Sequence, residues 1–329
     1  MGKIEIVSCM SNPLELEHSQ VSTRFDSDCG ILWTIMNPER VPCFTQELLG
    51  ELLSHNRSIE NSGGKVWVGG KQHAIRYSIA ASNIPGIFNL GGELSLFSQL
   101  IRNGDRQSLM SYATRCIDVI ASRVNHYNLP LTTISLVQGD ALGGGFEAVL
   151  TSDIIIAERS SKMGFPEILF NLFPGMGAYS LLARKIGPAQ AEKIITNGNI
   201  YSAKSLHELG VVDVLVEDGE GEGAVYDYVR RQARYANGYL AVQRARQRFN
   251  PVTYQELMDI TTIWVDAALQ LGEKDLKIMD RFVRSQQKQF GKDDNNQVRP
   301  SNPLLNELAI ARMHWGEAER RKIPRAQHA

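Results

Sequence analysis

Two glutamates and two runs of glycine are where this sequence concentrates chemistry. LVQGDALGGGFEAVL (136–150) sets three consecutive glycines, Gly143 to Gly145, just ahead of Glu147, and MGFPEILFNLFPGMGAYSLL (163–182) sets Glu167 directly after Pro166. Each carboxylate keeps apolar company: Phe146, Ala148 and Val149 around the first, Phe165, Ile168 and Leu169 around the second. An ionised carboxylate is costly to bury, and one alone is most simply read as a helix-start acid paired with an arginine. Two of them beside glycine loops point instead to acid–base work, because carboxylates facing one small substrate cannot both ionise cheaply and their pKa values are driven apart. Glycine serves where backbone must approach a ligand closely, and the first turn of a helix offers unpaired N–H groups with positive partial charge. Gly144, opening the helix that carries Glu147, and Gly92, in IPGIFNLGGEL (84–94), are therefore candidate oxyanion donors, each typically worth about 3 kcal/mol in a transition state. Phe146, Phe170, Leu172 and Phe173 are the nearby candidates for contact with an apolar substrate, and each reads equally well as core.

The elements that must hold these groups can be read from periodicity and turn residues. Strands are expected at KIEIV, at VSTRFD, at ILWTIM before Asn37-Pro38 and at HAIRYSIAAS, with a helix over Gln46 to Ile59. A pair of helices follows from Leu94 to His126, divided at Asn103-Gly104. Thr132 to Val137 reads as a buried strand ended by Gly139, then a glycine-rich loop, a short helix and a strand from Asp153 to Ala157. Helices with short breaks come next, with a strand at Val211 to Val216. Ile260, Ile263, Trp264, Ala267, Ala268 and Leu271 then fall on one helical stripe that has to pack on the body or on another subunit. We divide the chain into a core with N-terminal strands over 1–250, a C-terminal helical region over 251–291, and a polar linker with an amphipathic tail helix over 292–329.

Composition narrows the function classes. The chain has 329 residues, 43% of them hydrophobic, enough for a sizeable core. Its 35 Lys plus Arg nearly cancel 36 Asp plus Glu, so no global basic field exists to hold nucleic acid. Four scattered cysteines and seven histidines show no metal-ligand spacing, and no metal or redox cofactor is expected. No window has the apolar length of a membrane span and the first twenty residues lack the h-region of a secretory signal, which makes the cytoplasm the expected location, without membrane insertion. GGGFEA satisfies a dinucleotide fingerprint with Glu158 as a possible ribose-binding acid, but Gly139 to Leu142 separate the strand from the glycines and leave too little room for a crossover helix. No G-x-S-x-G elbow marks a serine hydrolase.

The glycine and glutamate segments, with PGMGAYSLLARKIG and NGNIYSAKSLHELGVVDVL, resemble the signature of the crotonase (enoyl-CoA hydratase) superfamily over residues from about 20 to about 290. The resemblance implies an α/β (α+β) fold of repeated ββα units wound into a spiral, with a C-terminal helical region for trimerisation. It also implies Gly92 and Gly144 as oxyanion donors and Glu147 and Glu167, twenty positions apart, as catalytic acids. FNLGGELSLFSQLIR, LFPGMGAYS and WVDAALQLGEKDLKIMDRFVR are similar to the diffusible-signal-factor synthase branch in particular. That likeness implies a dual dehydratase and thioesterase taking 3-hydroxyacyl carrier protein (ACP) to a free cis-2-unsaturated fatty acid for quorum sensing. The implied partners are an ACP or CoA thioester and further copies of the chain in a homotrimer or hexamer. The alternatives are a plain enoyl-CoA hydratase/isomerase and a non-catalytic acyl-binding protein on the same scaffold.

Overall fold

The computed structural model describes residues 12–290. The expected KIEIV strand and the linker and tail helix over 292–329 lie outside the described residues. Twelve strands are formed: β1 Val21–Asp26, β2 Ile31–Met36, β3 Lys65–Val68, β4 Lys71–Ala74, β5 Tyr77–Ser82, β6 Gly86–Asn89, β7 Thr132–Val137, β8 Gly139–Leu142, β9 Ile154–Glu158, β10 Lys162–Gly164, β11 Ile200–Ser202 and β12 Val214–Val216. The helices are α1 Gln46–Asn61, α2 Leu94–Arg102, α3 Arg106–Val124, α4 Gly144–Leu150, α5 Ala178–Ile186, α6 Pro188–Asn197, α7 Ala203–Glu208, α8 Gly221–Ala233, α9 Ala236–Phe249, α10 Tyr254–Ala268 and α11 Glu273–Phe290.

The strands sort into two main sheets by a simple rule. In three successive units the first strand (β5, β7, β9) joins a six-stranded sheet of order β1-β2-β5-β7-β9-β12, and the second strand (β6, β8, β10) joins a four-stranded sheet of order β11-β10-β8-β6. Pairing within each set is parallel, as for Tyr77 with Thr132 and Met163 with Ala141. Each unit therefore advances the chain one strand along both sheets, which is the ββα spiral of the crotonase fold. Close passage of the second strands depends on glycine. A β-carbon on Gly139 would lie 1.9 Å from the Gly86 carbonyl carbon, so β6 and β8 can pair only with hydrogen there.

Two expectations need correction. Gly139 to Leu142 form a strand where a loop was expected, buried along its length between β6 and β10. HAIRYSIAAS breaks at Ile75-Arg76 into β4, which belongs to a β3–β4 hairpin, and β5, which belongs to the large sheet. The C-terminal stripe also divides. α10 ends at Ala268 and α11 begins at Glu273; Trp264, Ala268 and Leu271 are buried, whereas Ile263 is 60% exposed.

α1 and α3 lie side by side against the spiral. Thr45 caps α1 by accepting from Leu48 N–H, Asp105 caps α3 by accepting from Ser108 N–H, and Leu48, Leu52, Ile59, Leu109, Ile117 and Ile120 bury their apolar faces. α3 ends in a turn in which His126, Tyr127 and Asn128 all have positive φ (53°, 54° and 55°). Left-handed backbone costs non-glycine residues about 1–2 kcal/mol each. The turn is held from outside: His126 Nε2 lies 2.8 Å from Asp153 Oδ2 and 3.0 Å from Gln243 Nε2 of α9, and its Nδ1 meets Gln247 Nε2. No helix among the described residues is long and apolar enough to cross a membrane.

Candidate active site

The three glycines of GGGFEA have three different tasks. Gly143 adopts φ 54°, ψ −124°, a conformation that side chains disfavour, and a β-carbon there would sit 2.4 Å from Glu167 Oε1. It makes room for the second acid. Gly144 is the first residue of α4, so its N–H has no partner inside the helix. Gly145 lets β6 approach, because a β-carbon would fall 2.0 Å from Asn89 O.

Gly92 comes to the same place from the opposite side. A β-carbon built on Gly144 would lie 3.4 Å from Gly92 N, and one on Gly91 would lie 3.1 Å from Gly144 N. Asn89 Oδ1 accepts from Gly91 N–H at 2.8 Å, and Phe44 N–H donates to Gly91 O at 2.8 Å, which fixes the turn. Buried Tyr112 of α3 completes the support, donating its hydroxyl to Phe44 O and accepting from Glu93 N–H at 3.3 Å. Gly92 cannot carry a side chain because Phe97 Cε2 lies 2.7 Å from the β-carbon position. Phe97 in turn stacks edge-on against Tyr112 and Trp264, with ring centroids 4.9 and 5.2 Å apart.

Glu147 and Glu167 line one cavity with Gly92 and Gly144. Glu147 is 1% exposed, and its Oε1 accepts from Met176 N–H at 2.8 Å and Ala178 N–H at 3.0 Å, at the start of α5. Burial raises its pKa to about 7, and the two amide bonds limit that rise. Glu167 opens a 3-10 turn, Glu167–Phe170, with Pro166 as its cap and not as first helical residue. Part of the residue is exposed, but Oε2 is closed off and has no hydrogen-bond partner. Its pKa stands well above the usual carboxylate range, through burial first and the Glu147 charge second. Both acids are therefore held toward the protonated form, and the charge of Glu147 opposes ionisation of Glu167.

The cavity continues away from the acids, and Phe44, Leu49, Leu52, Cys116 and Ile120 are among its apolar wall. About 110 Å³ of it can be occupied by the centre of a water molecule. Phe170 and Leu172 line it as expected. Phe146 does not: it is fully buried against Phe165, ring centroids 4.9 Å apart. Phe173 does not either, packing partly buried against the main core. Sequence reasoning missed Tyr112, Phe97 and Trp264. Glu158 is structural, accepting from Gln138 Nε2 and Gly221 N–H.

Sequence comparison places the spiral and the residues that line this cavity in a known family. The enoyl-CoA hydratase/isomerase family profile matches residues 31–292, and the chain belongs to that family. Among curated proteins it is 33% identical to the mitochondrial methylglutaconyl-CoA hydratase of Rattus norvegicus over 151 residues, 46% of each chain. It is 34% identical to the fatty acid oxidation complex subunit alpha of Idiomarina loihiensis over 131 residues, 40% of this chain and 17% of that one. The matched stretch thus spans less than half the length of these relatives. Among solved structures, an enoyl-CoA hydratase from Bacillus halodurans superposes with a TM-score of 0.65 at 21% identity, covering 79% of this chain and 98% of that one. DspI of Pseudomonas aeruginosa gives 0.56 at 20%, covering 82% and 96%. These two likenesses concern the fold.

Proposed function

We propose that this protein dehydrates a 3-hydroxyacyl thioester and then hydrolyses the product to a free cis-2-unsaturated fatty acid, as a signal synthase of the diffusible-signal-factor type. The observation that carries the reading is that two buried carboxylates with raised pKa values and two glycines line one largely apolar cavity. The thioester carbonyl sits against Gly92 and Gly144 N–H, which take up the charge of the enolate formed when the Cα proton leaves. One glutamate takes that proton while the other gives its own to the departing 3-hydroxyl, so water leaves and the pair again holds a single proton. Water then enters, the ionised glutamate activates it, and the tetrahedral oxyanion occupies the same two amides while the thiol departs. Support for this branch over a plain hydratase comes from its resemblance to the segments around Gly92, Gly144 and Trp264.

The test is to supply 3-hydroxyacyl carrier protein to the purified enzyme with no other thioesterase present. Free cis-2-enoic acid is the expected product; enoyl carrier protein accumulating without free acid would favour the plain hydratase. The CoA thioester serves as the second substrate in the same assay. Assembly into a homotrimer or hexamer through the C-terminal helices belongs to the same reading, and light scattering should show no stable monomer at micromolar concentration.

A further inference from the structure

The cavity has a polar end, reached along α1 and α3 away from Gly92, beside which Phe44 and Tyr112 stand. Thr34 of β2, Asn56 of α1, Arg123 of α3 and Tyr127 of the left-handed turn line it there. These groups are already bonded. Arg123 donates to Ile134 O at 2.8 Å, Ser152 Oγ at 3.0 Å, Ser78 Oγ and Tyr127 OH at 3.2 Å, and Ser78 O at 3.3 Å. Asn56 Nδ2 donates to Val119 O at 3.2 Å, and Thr34 Oγ1 is 2.8 Å from His55 Nε2. An alkyl chain that advanced into this wall would strip bonds from a buried guanidinium and return nothing.

Two helices give the length independently. The carbonyl end lies at the level of Tyr112, whose hydroxyl is 3.7 Å from the β-carbon position of Gly92. Along α3 from Tyr112 to Arg123 is about 16 Å, and along α1 from Gln46 to Asn56 about 15 Å, at the usual helical rise. The open volume spread over that length makes a tube about 6 Å wide between its walls, once about 1.4 Å of water radius is added on each side. That is the bore of one extended polymethylene chain. Leaving about 4 Å for contact with the wall, and taking about 1.25 Å per carbon, the space holds an acyl group of about nine or ten carbons.

We propose that the wall formed by Thr34, Asn56, Arg123 and Tyr127 sets the maximum acyl length, with Asn56 and Thr34 as the specificity-determining residues. This rests on the acyl-thioester reading above. The cut-off is sharp because the end is a bonded network, not a flexible apolar plug.

The experiment measures binding by calorimetry of S-(2-oxoalkyl)-CoA thioethers, which cannot be hydrolysed, with alkyl lengths spanning eight to sixteen carbons, to the full-length protein. Affinity should rise to about ten carbons and fall at least tenfold by thirteen. Asn56→Ala and Thr34→Ala should each move the fall about two carbons longer, and Val119→Phe, which narrows the tube before the wall, should move it shorter. Circular dichroism and thermal melts establish which variants fold, and the three substitutions lie on different elements. Affinity that keeps rising to sixteen carbons, or a fall unmoved in every folded variant, overturns the proposal. Failure of all lengths to bind would instead remove the acyl-thioester reading on which it stands.

Discussion

The two ends of the cavity handle buried polarity differently. At the Arg123 end both terminal nitrogens of an enclosed guanidinium donate, to two carbonyls and three hydroxyl groups, and Nε alone is without a partner. At the glutamate end capacity is left unspent: Glu167 Oε2 has no partner, and Gly144 opens a helix with its amide toward the space. Buried polar groups are normally satisfied, and the exceptions call for a reason. The contrast teaches that burial of charge does not by itself mark chemistry. Five bonds tie Arg123 into the framework, whereas Glu167 has a closed-off oxygen with no bond and Glu147 accepts through one oxygen only, which under the proposed function leaves both carboxylates able to exchange protons.

The sharpest way to break this comparison is at the acids. Glu147→Gln and Glu167→Gln should each lower turnover of a 3-hydroxyacyl thioester by about a thousandfold, within the range for general acid–base groups, with unchanged circular dichroism. Turnover within tenfold of the parent for either variant would show that its carboxylate does not move a proton.

Stability should respond in the opposite sense at the two ends. Arg123→Met should cost about 3 kcal/mol in urea unfolding, by orphaning the groups that now accept from it. Glu147→Gln should stabilise at alkaline pH. Its pKa is raised from 4.5 to about 7 in the folded protein, so the stabilisation from holding the proton is complete below pH 4.5 and is lost as pH rises through 7. Glutamine keeps the acceptor for Met176 and Ala178 N–H without that loss. The variant should therefore gain on the parent between pH 5 and 8, by on the order of 3 kcal/mol at most. Unfolding curves that shift equally with pH in both proteins would contradict the assignment.

The smallest effect concerns Tyr112, which touches no reacting atom but holds the Gly92 turn through Phe44 O and Glu93 N–H. Tyr112→Phe should lower kcat about tenfold with KM nearly unchanged, because the amide is misplaced and the cavity is not. An equal change in both would mean that Tyr112 only shapes the space.

That Glu147, Glu167, Gly92 and Gly144 come together on one cavity was legible because each carboxylate or glycine signal sits within a few residues, a carboxylate in an apolar run or a glycine pair after a strand. The far wall was not legible: Thr34, Asn56, Arg123 and Tyr127 come from separate elements, and none looks unusual in its own segment. Tyr112 reads in sequence as one more member of an apolar stripe, since only the fold brings its hydroxyl to Phe44 O. Phe146 misled through adjacency, for the residue next to Glu147 on a helix points about 100° away, and here that direction is the core. The second strands, β6, β8 and β10, span three or four residues each, too short for alternation to rise above the turn signals of their glycines. β7, β9 and the helices α1 to α3, with five or more residues of consistent pattern, match their expected spans nearly to the ends.

The turn at His126–Asn128 bears on the order in which the molecule can be completed. Three left-handed residues in a row are held in part by the grip of Asp153, Gln243 and Gln247 on His126. Two of those grips come from α9, more than a hundred positions downstream. On the ribosome the turn therefore lacks two of its three grips on His126 until α9 has emerged and docked, although Ser78 and Arg123 already hold the Tyr127 hydroxyl. A nascent chain can thus carry both glutamates and both glycines while the turn that lines the cavity is still incompletely braced.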